Sequence, residues 1–303
     1  MPHLIHVLTG CTAVGKTDLA LRWAEANGAE IVSCDSLLFY RGMDVGTAKP
    51  SKAELARVPH HLIDVRDVTE PMDIARYVGL ARAAVAEIVR RGRPVLVTGG
   101  SGFYLKAFFA PVADDVEVPA SLRADINRRL EQDGLDSLVD ELHRLNPAGL
   151  GTLDLQNSRR VGRALERCLA SGRTLTVLQG EFAARPSPFV EYEIRLCELV
   201  REKAAIEQRI EERVALMLRA GLVAEVRELL ARGLKQNPSG ARAIGYRETI
   251  EVIDGLLPAD ELAGRIAQNT RALVKKQRTW FKTQLPVHRQ LDAATADVAA
   301  LFG

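Results

Sequence analysis

Several things are scarce in this sequence, and each scarcity excludes something. The four cysteines, Cys11, Cys34, Cys168 and Cys197, lie far apart and form no C-x-x-C pair. That leaves no recognisable zinc module and no disulfide framework. No apolar run approaches the ~18 residues of a membrane span, so no membrane partner is expected. The opening MPHLIHVLTG is too short and too polar in its flanks for a signal peptide, and a reducing cytoplasm is the expected setting. Net charge is only +2, so any basic footprint for nucleic acid must be local. Aromatics make up 5%, charged residues 26% and hydrophobic residues 47% of the 303 positions, as in an ordinary globular enzyme. The length suggests about two domains and a core large enough to need no staples.

What is present begins with GCTAVGKT, residues 10–17, between the apolar run LIHVLT and the helix-like DLALRWAEA. It fits G-x-x-x-x-G-K-[ST] at Gly10, Gly15, Lys16 and Thr17. In such a loop the backbone amides and the following helix dipole face a polyphosphate, usually that of ATP or GTP. The lysine adds a point charge and the Thr17 hydroxyl can take Mg²⁺. The required strand and helix flank the motif, which favours a working loop over a chance match.

Strand candidates are LIHVLT (4–9), AEIVSCD (29–35), HLIDV (61–65) and PVLVTGG (94–100), alternating with helices near 18–30 and 72–91. This pattern predicts an α/β fold with a doubly wound parallel sheet. The carboxyl ends of its strands collect the loop, Asp35-Ser36 and Gly99-Gly100-Ser101 on one edge. From about 115 only helices are expected: SLRADINRRLEQ, LDSLVDELHRL and SRRVGRALERCLAS, the last closed by Gly172. YEIRLCEL (192–199) alternates and reads as a return strand, after which helices run to near the end. The expected organisation is a P-loop core over 1–114 and 190–303 with a helical insertion at 115–189.

Two of the edge residues carry open alternatives. Asp35 is a candidate site acid or merely a cap for a following helix. Ser101 offers a hydroxyl beside close-approach glycines, or is simply the N-cap of the next helix. No acid closes PVLVTGG, so a nucleotide-hydrolase reading is incomplete.

Between Glu261 and Asp292 there is no acid, while Arg265, Arg271, Lys275, Lys276, Arg278, Lys282 and Arg289 are cationic and Trp280-Phe281 lies among them. This is either a solvated helix face or a footprint for a phosphate backbone with an aromatic nearby, and the thirty-residue exclusion of acids favours the second.

Together these blocks resemble the tRNA dimethylallyltransferase (tRNA isopentenyl-diphosphate transferase) family of bacterial type, over nearly the whole chain. GCTAVGKT is similar to the family's G-P-T-A-S-G-K-T. DSLLFYRGMDVGTAKP (35–50) resembles its D-S-x-x-x-Y-x-x-M-D-I-G-T-A-K-P, the most specific block. HHLIDVRD (60–67), VTGGSGFYLKA (97–107), NSRRVGRALE (157–166), GARAIGYRE (240–248) and KKQRTWFK (275–282) follow in order. Cys11, Val14 and Ser101 stand where the family usually has Pro, Ser and Thr.

The resemblance implies transfer of a dimethylallyl group from dimethylallyl diphosphate to N6 of adenosine 37, beside the anticodon, in tRNAs reading codons that begin with U. Gly10, Thr12, Ala13, Val14, Gly15, Lys16 and Thr17 would hold the diphosphate, with Mg²⁺ on Thr17. Arg209 and Arg213 would close on the same phosphates, unless they are solvated and paired with Glu207 or Glu211. Asp35 would be the base, aided by Ser101. Asp35, Ser36, Leu37, Leu38, Arg242, Gly245, Tyr246 and Arg247 would line the tRNA channel. Arg123, Arg159 and Arg160 would grip the backbone from the insertion, and Lys275, Lys276, Arg278, Trp280 and Lys282 from the C-terminal helix. A monomer is expected. The rival readings are a P-loop small-molecule kinase and a non-catalytic RNA-binding protein.

Overall fold

Runs of Val, Ile and Leu bounded by Gly, Pro or Asp become the strands of one parallel sheet in the computed structural model, which describes residues 3–303. The strands are β1 (Leu4–Gly10), β2 (Glu30–Ser33), β3 (His60–His61), β4 (Val95–Thr98), β5 (Glu193–Val200) and β6 (Arg289–Asp292), in the order β3-β2-β4-β1-β5-β6. Every pairing is parallel. Parallel neighbours need crossovers, and helices supply them: α1 (Lys16–Asn27), α2 (Lys52–Arg57), α3 (Ile74–Arg90) and α4 (Gly102–Lys106). All of β2 is buried, as expected of a strand covered on both faces.

The chain then runs through α5 (Ala120–Leu145), α6 (Ser158–Ser171) and α7 (Leu175–Ala183) before β5. After β5 come α8 (Lys203–Arg219), α9 (Leu222–Ala231), α10 (Pro238–Ala241), α11 (Tyr246–Ile253) and α12 (Leu262–Gln284). Two compact units result, Met1–Ala110 with Ser187–Gly303, and Pro111–Pro186. The second has its own core, including Ile126, Leu138, Leu142, Val161 and Leu165. Within α5, Gly134 leaves helical geometry at φ 81°, so the two sequence segments on either side form a broken helix. Gly172 ends α6 in the left-handed region, as its position suggested.

Two expectations need correction. HLIDV does not form a five-residue strand; only His60–His61 pair with β2. Leu62 and Asp64 take positive φ, and the Asp64 and Arg66 amides donate to Leu38 and Phe39 instead. A buried lysine explains the diversion. Lys49 Nζ is held by Asp44, Asp64 and the Tyr40 carbonyl, which draws 62–66 toward the 38–50 segment. The second correction is β6, where only helices were expected. RQLD pairs with β5 as an edge strand, and its polar composition gives no apolar run to read.

Among the described residues no helix is long and apolar enough to cross a membrane. The tightest backbone approach lies at the edge that carries the loops. A Cβ on Gly99 would sit 2.0 Å from the Cys34 carbonyl oxygen, because the chain leaving β4 touches the chain leaving β2. Gly99→Ala is therefore expected to destabilise the protein by about 3 kcal/mol, read as a lowered urea midpoint at unchanged m-value.

Candidate active site

The loop after β1 is built on strained backbone. Gly10 has φ 147° and Gly15 φ 111°, and Ala13 between them also lies at positive φ. A side chain at Gly10 would meet the Leu199 carbonyl at 2.5 Å. Lys16 opens α1 and folds back, donating to the Gly10 and Cys11 carbonyls at 2.8 and 2.9 Å. Burial lowers its pKa to about 8, with Cys11 and the Asp35 carboxylate opposing the shift.

Three side chains brace the loop from outside, and two of them were not anticipated. Arg209 donates through Nε to the Ala13 carbonyl at 2.8 Å. Arg201, which closes the turn after β5, donates to the Val14 carbonyl at 3.0 Å and to Ala293 at 2.9 Å. Gln277 of α12 accepts from the Thr12 amide at 2.9 Å and donates to the Gly100 carbonyl at 2.8 Å. The expectation that every amide from 12 to 17 faces the anion is thus corrected: the Thr12 amide is already committed. No pattern in KKQRTWFK singles out its glutamine.

Asp35 lies two residues beyond β2, and its Oδ1 accepts from the Leu37 amide at 2.9 Å. No helix starts there, so it closes a side-chain turn and is not a helix cap. Ser101 occupies the N-cap position of α4, yet its hydroxyl makes no capping bond. The capping alternative therefore falls away for Asp35, whereas Ser101 is the N-cap residue by position with its hydroxyl left uncommitted.

Two cavities meet at these residues. One, of about 440 Å³, is lined by the loop, Lys16, Thr17, Arg209 and Leu38. The other, of about 530 Å³, is lined by Ser36, Leu37, Ser101, Arg242, Lys276 and Trp280. Thr12, Asp35, Thr47, Gly100, Arg213 and Gln277 line both and form their common wall. Arg213 donates to the Thr47 carbonyl at 2.8 Å; burial lowers its pKa, against which Asp35 acts. Neither Arg209 nor Arg213 pairs with Glu207 or Glu211, whose partners are Lys203 and Arg271.

The DSLLFYRGMDVGTAKP block is held in shape by a half-buried carboxylate. Glu225 of α9 accepts from the consecutive amides of Asp44, Val45 and Gly46 at 3.0, 2.6 and 3.1 Å. It also accepts from the Tyr246 hydroxyl at 2.7 Å. Tyr246 is fully buried and its ring covers Gly46, where a Cβ would fall 2.6 Å from it. This holds Thr47 in the wall between the cavities.

The chain was then compared with known proteins. Residues 38–284 match the family model described as IPP transferase. A tRNA dimethylallyltransferase of Opitutus terrae is 63% identical over 299 residues, covering 98% of this chain and 96% of that one. The chain belongs to the IPP transferase family. A solved structure of a full-length tRNA isopentenylpyrophosphate transferase from Bacillus halodurans matches with a TM-score of 0.67 and 31% identity, covering 97% of this chain and 90% of that one. A eukaryotic dimethylallyltransferase solved acting on tRNA matches with a TM-score of 0.81 at 23% identity, covering 98% and 75%, and carries the fold only.

In this IPP transferase family member the expected RNA-facing residues divide sharply. Lys275, Lys276 and Lys282 are exposed on α12 with no ion pair among the described residues. Arg278, however, donates to the Arg201 carbonyl at 2.8 Å, and Arg265 and Arg271 approach Glu261 and Glu211. The lysines of this run are therefore free to meet a ligand, while three of its arginines already have protein partners. Trp280 lies over Gly102, where a Cβ would be 2.4 Å from the indole, and presents its remaining surface to the larger cavity. Of RAIGYR, Arg242 is exposed at that cavity. Tyr246 is a core residue and so is corrected as an RNA contact. Gly245 gives its amide to Glu248 at 2.7 Å, and Arg247 pairs with the same carboxylate. In the Pro111–Pro186 unit, Arg123 pairs with Glu166 and Arg160 approaches Asp154, while Arg159 is exposed.

Among the described residues no three acids, histidines or cysteines cluster to hold a metal. Thr17 is exposed at the mouth of the loop. One hydroxyl plus anion oxygens suits Mg²⁺, which binds through few protein ligands and keeps its waters, so the residues fit that ion. The lowered Lys16 pKa sets a pH dependence. Lys16 is mostly charged below about pH 8 and mostly neutral above it, so the lysine's contribution to binding inorganic diphosphate, read as the difference from a Lys16→Arg variant, should fall as pH rises through about 8. Calorimetry of both proteins across that range checks this.

Proposed function

We propose that this chain transfers the dimethylallyl group of dimethylallyl diphosphate to N6 of adenosine 37 in tRNA. The observation that carries the reading is the common wall: Asp35 lines both a phosphate-loop cavity and a second cavity of about 530 Å³, bordered by the exposed Lys276. A P-loop small-molecule kinase would also need an acceptor chamber beside its loop, and it is the name of the Opitutus terrae relative, 63% identical, that favours the transferase reading.

The carbon–oxygen bond between the allyl group and diphosphate breaks as a bond forms from N6 to the same allylic carbon. The N6 lone pair is delocalised into the ring, so its proton must be accepted as the bond forms. Asp35 accepts it, and Ser101 orients the amine or the carboxylate by a hydrogen bond. Charge developing on diphosphate meets the loop amides that have no protein acceptor, those of Ala13, Gly15, Lys16 and Thr17, together with the Lys16 ammonium and the outward side of Arg209. Mg²⁺ at Thr17, when bound, would neutralise part of that charge. A stacked anticodon base cannot reach the wall, so adenosine 37 is turned out into the larger cavity. There Leu37, Trp280 and Arg242 supply apolar, stacking and charged contacts, and Lys275, Lys276 and Lys282 hold the backbone. Both cavities are lined by residues of one chain, in keeping with a monomeric working unit.

The test is incubation with labelled dimethylallyl diphosphate, Mg²⁺ and unmodified tRNA. Wild type should place label beside the anticodon. Asp35→Ala should lose about 10²–10⁴ in turnover with tRNA affinity kept. ATP-dependent phosphorylation of a small acceptor, without transfer to tRNA, would return the loop to the kinases.

A further inference from the structure

Ser33 and Thr98 end β2 and β4 and are register partners across that pair. Their side chains therefore leave the same face of the sheet. Both line the cavity that contains Lys16 and Thr17. Ser33 is 3% exposed, and neither its Oγ nor the Thr98 Oγ1 has a hydrogen-bond partner. The neighbouring Thr9, on β1, is satisfied by the Gly99 carbonyl at 2.9 Å, so open hydroxyls are not general at this sheet edge. Buried hydroxyls without partners call for a ligand.

Four carboxylates also line this cavity, and each already has a partner. Asp18 pairs with Arg22 at 3.0 Å, and Glu54 closes a capping box on Ser51. Glu212 accepts from Gln208 at 2.8 Å, and Asp35 accepts from Leu37. A phosphate-loop nucleotidase carries an acid that serves the metal, and the end of β4, the strand beside β1, is a position from which a side chain could do so. Here that position holds Thr98, with Ser33 next to it.

We infer that Ser33 and Thr98 together accept hydrogen bonds from the waters of a Mg²⁺ ion held at Thr17, in place of the missing acid. This rests on the reading of the cavity as a diphosphate site. Mg²⁺ is octahedral and keeps several waters beyond those displaced by a hydroxyl and phosphate oxygens. Each remaining water must donate its protons, and the two unpartnered hydroxyls, closed to solvent in this structure, accept them by turning toward the ion. Being neutral, they leave the charge of the ion directed at the diphosphate. They act on the metal's waters and are positioning residues, not catalytic ones.

The experiment measures binding of inorganic diphosphate by calorimetry with and without Mg²⁺, in wild type and in Ser33→Ala/Thr98→Val. Wild type should bind more tightly with Mg²⁺. In the double variant that gain should shrink about tenfold, with metal-free affinity unchanged, and Thr98→Ser should retain it. If the double variant fails to fold, the near-isosteric Thr98→Val alone should still lose part of the gain. A full gain in a folded variant lacking these hydroxyls overturns the inference. So does an equal loss with and without metal, which would mean direct contact with diphosphate. A wild type that binds diphosphate without any gain from Mg²⁺ overturns this inference alone, and one that binds none overturns the reading of the loop beneath it.

Discussion

One side-chain amide joins the three parts on which the site depends. Gln277 takes the Thr12 amide of the phosphate loop with its oxygen and the Gly100 carbonyl with its nitrogen. A donor and an acceptor on one planar group suit both partners, whereas a glutamate could serve only the first. The bond pair ties α12 to the loop after β1 and to the glycine turn after β4. It also places Gln277 in the wall between the cavities, next to Asp35. The helix that displays the exposed lysines is thereby fixed against the loop that displays Lys16. Arg209 and Arg201 complete the brace on the carbonyls of Ala13 and Val14.

Charge partly or wholly withdrawn from solvent does comparable work on the other side of the wall. Glu225 fills a concavity of three consecutive amides, and Lys49 gathers two aspartates and a carbonyl. Groups of this kind are costly to bury unless every partner is present, so they specify one arrangement of the 35–50 segment. That segment carries Asp35 at one end and Thr47 near the other. The placement of Asp35 thus depends on residues that line neither cavity.

The parts legible in the sequence are those where one residue type answers a local demand. Gly10 and Gly15 mark the positive-φ turns of the loop, Gly172 the end of α6, and alternation in YEIRLCEL the return strand. Partnerships across long separations were not legible. Arg278 and Lys276 look equivalent in a basic run, yet one holds the Arg201 carbonyl and the other is exposed. Tyr246 reads as a candidate RNA contact because RAIGYR resembles the family's channel segment, but its hydroxyl meets Glu225 in the core. HLIDV has a strand's composition, and the buried Lys49 network decides against most of it. β6 has no apolar signature because it is an edge.

The central claim is that phosphate donor and RNA acceptor occupy separate chambers at the same time and react across their common wall. The direct measurement is binding of a fluorescent unmodified anticodon stem-loop, by anisotropy, with and without saturating inorganic diphosphate and Mg²⁺. The account predicts that the RNA binds with diphosphate in place, giving a ternary complex of undiminished RNA affinity. Mutual exclusion of the two ligands would contradict it.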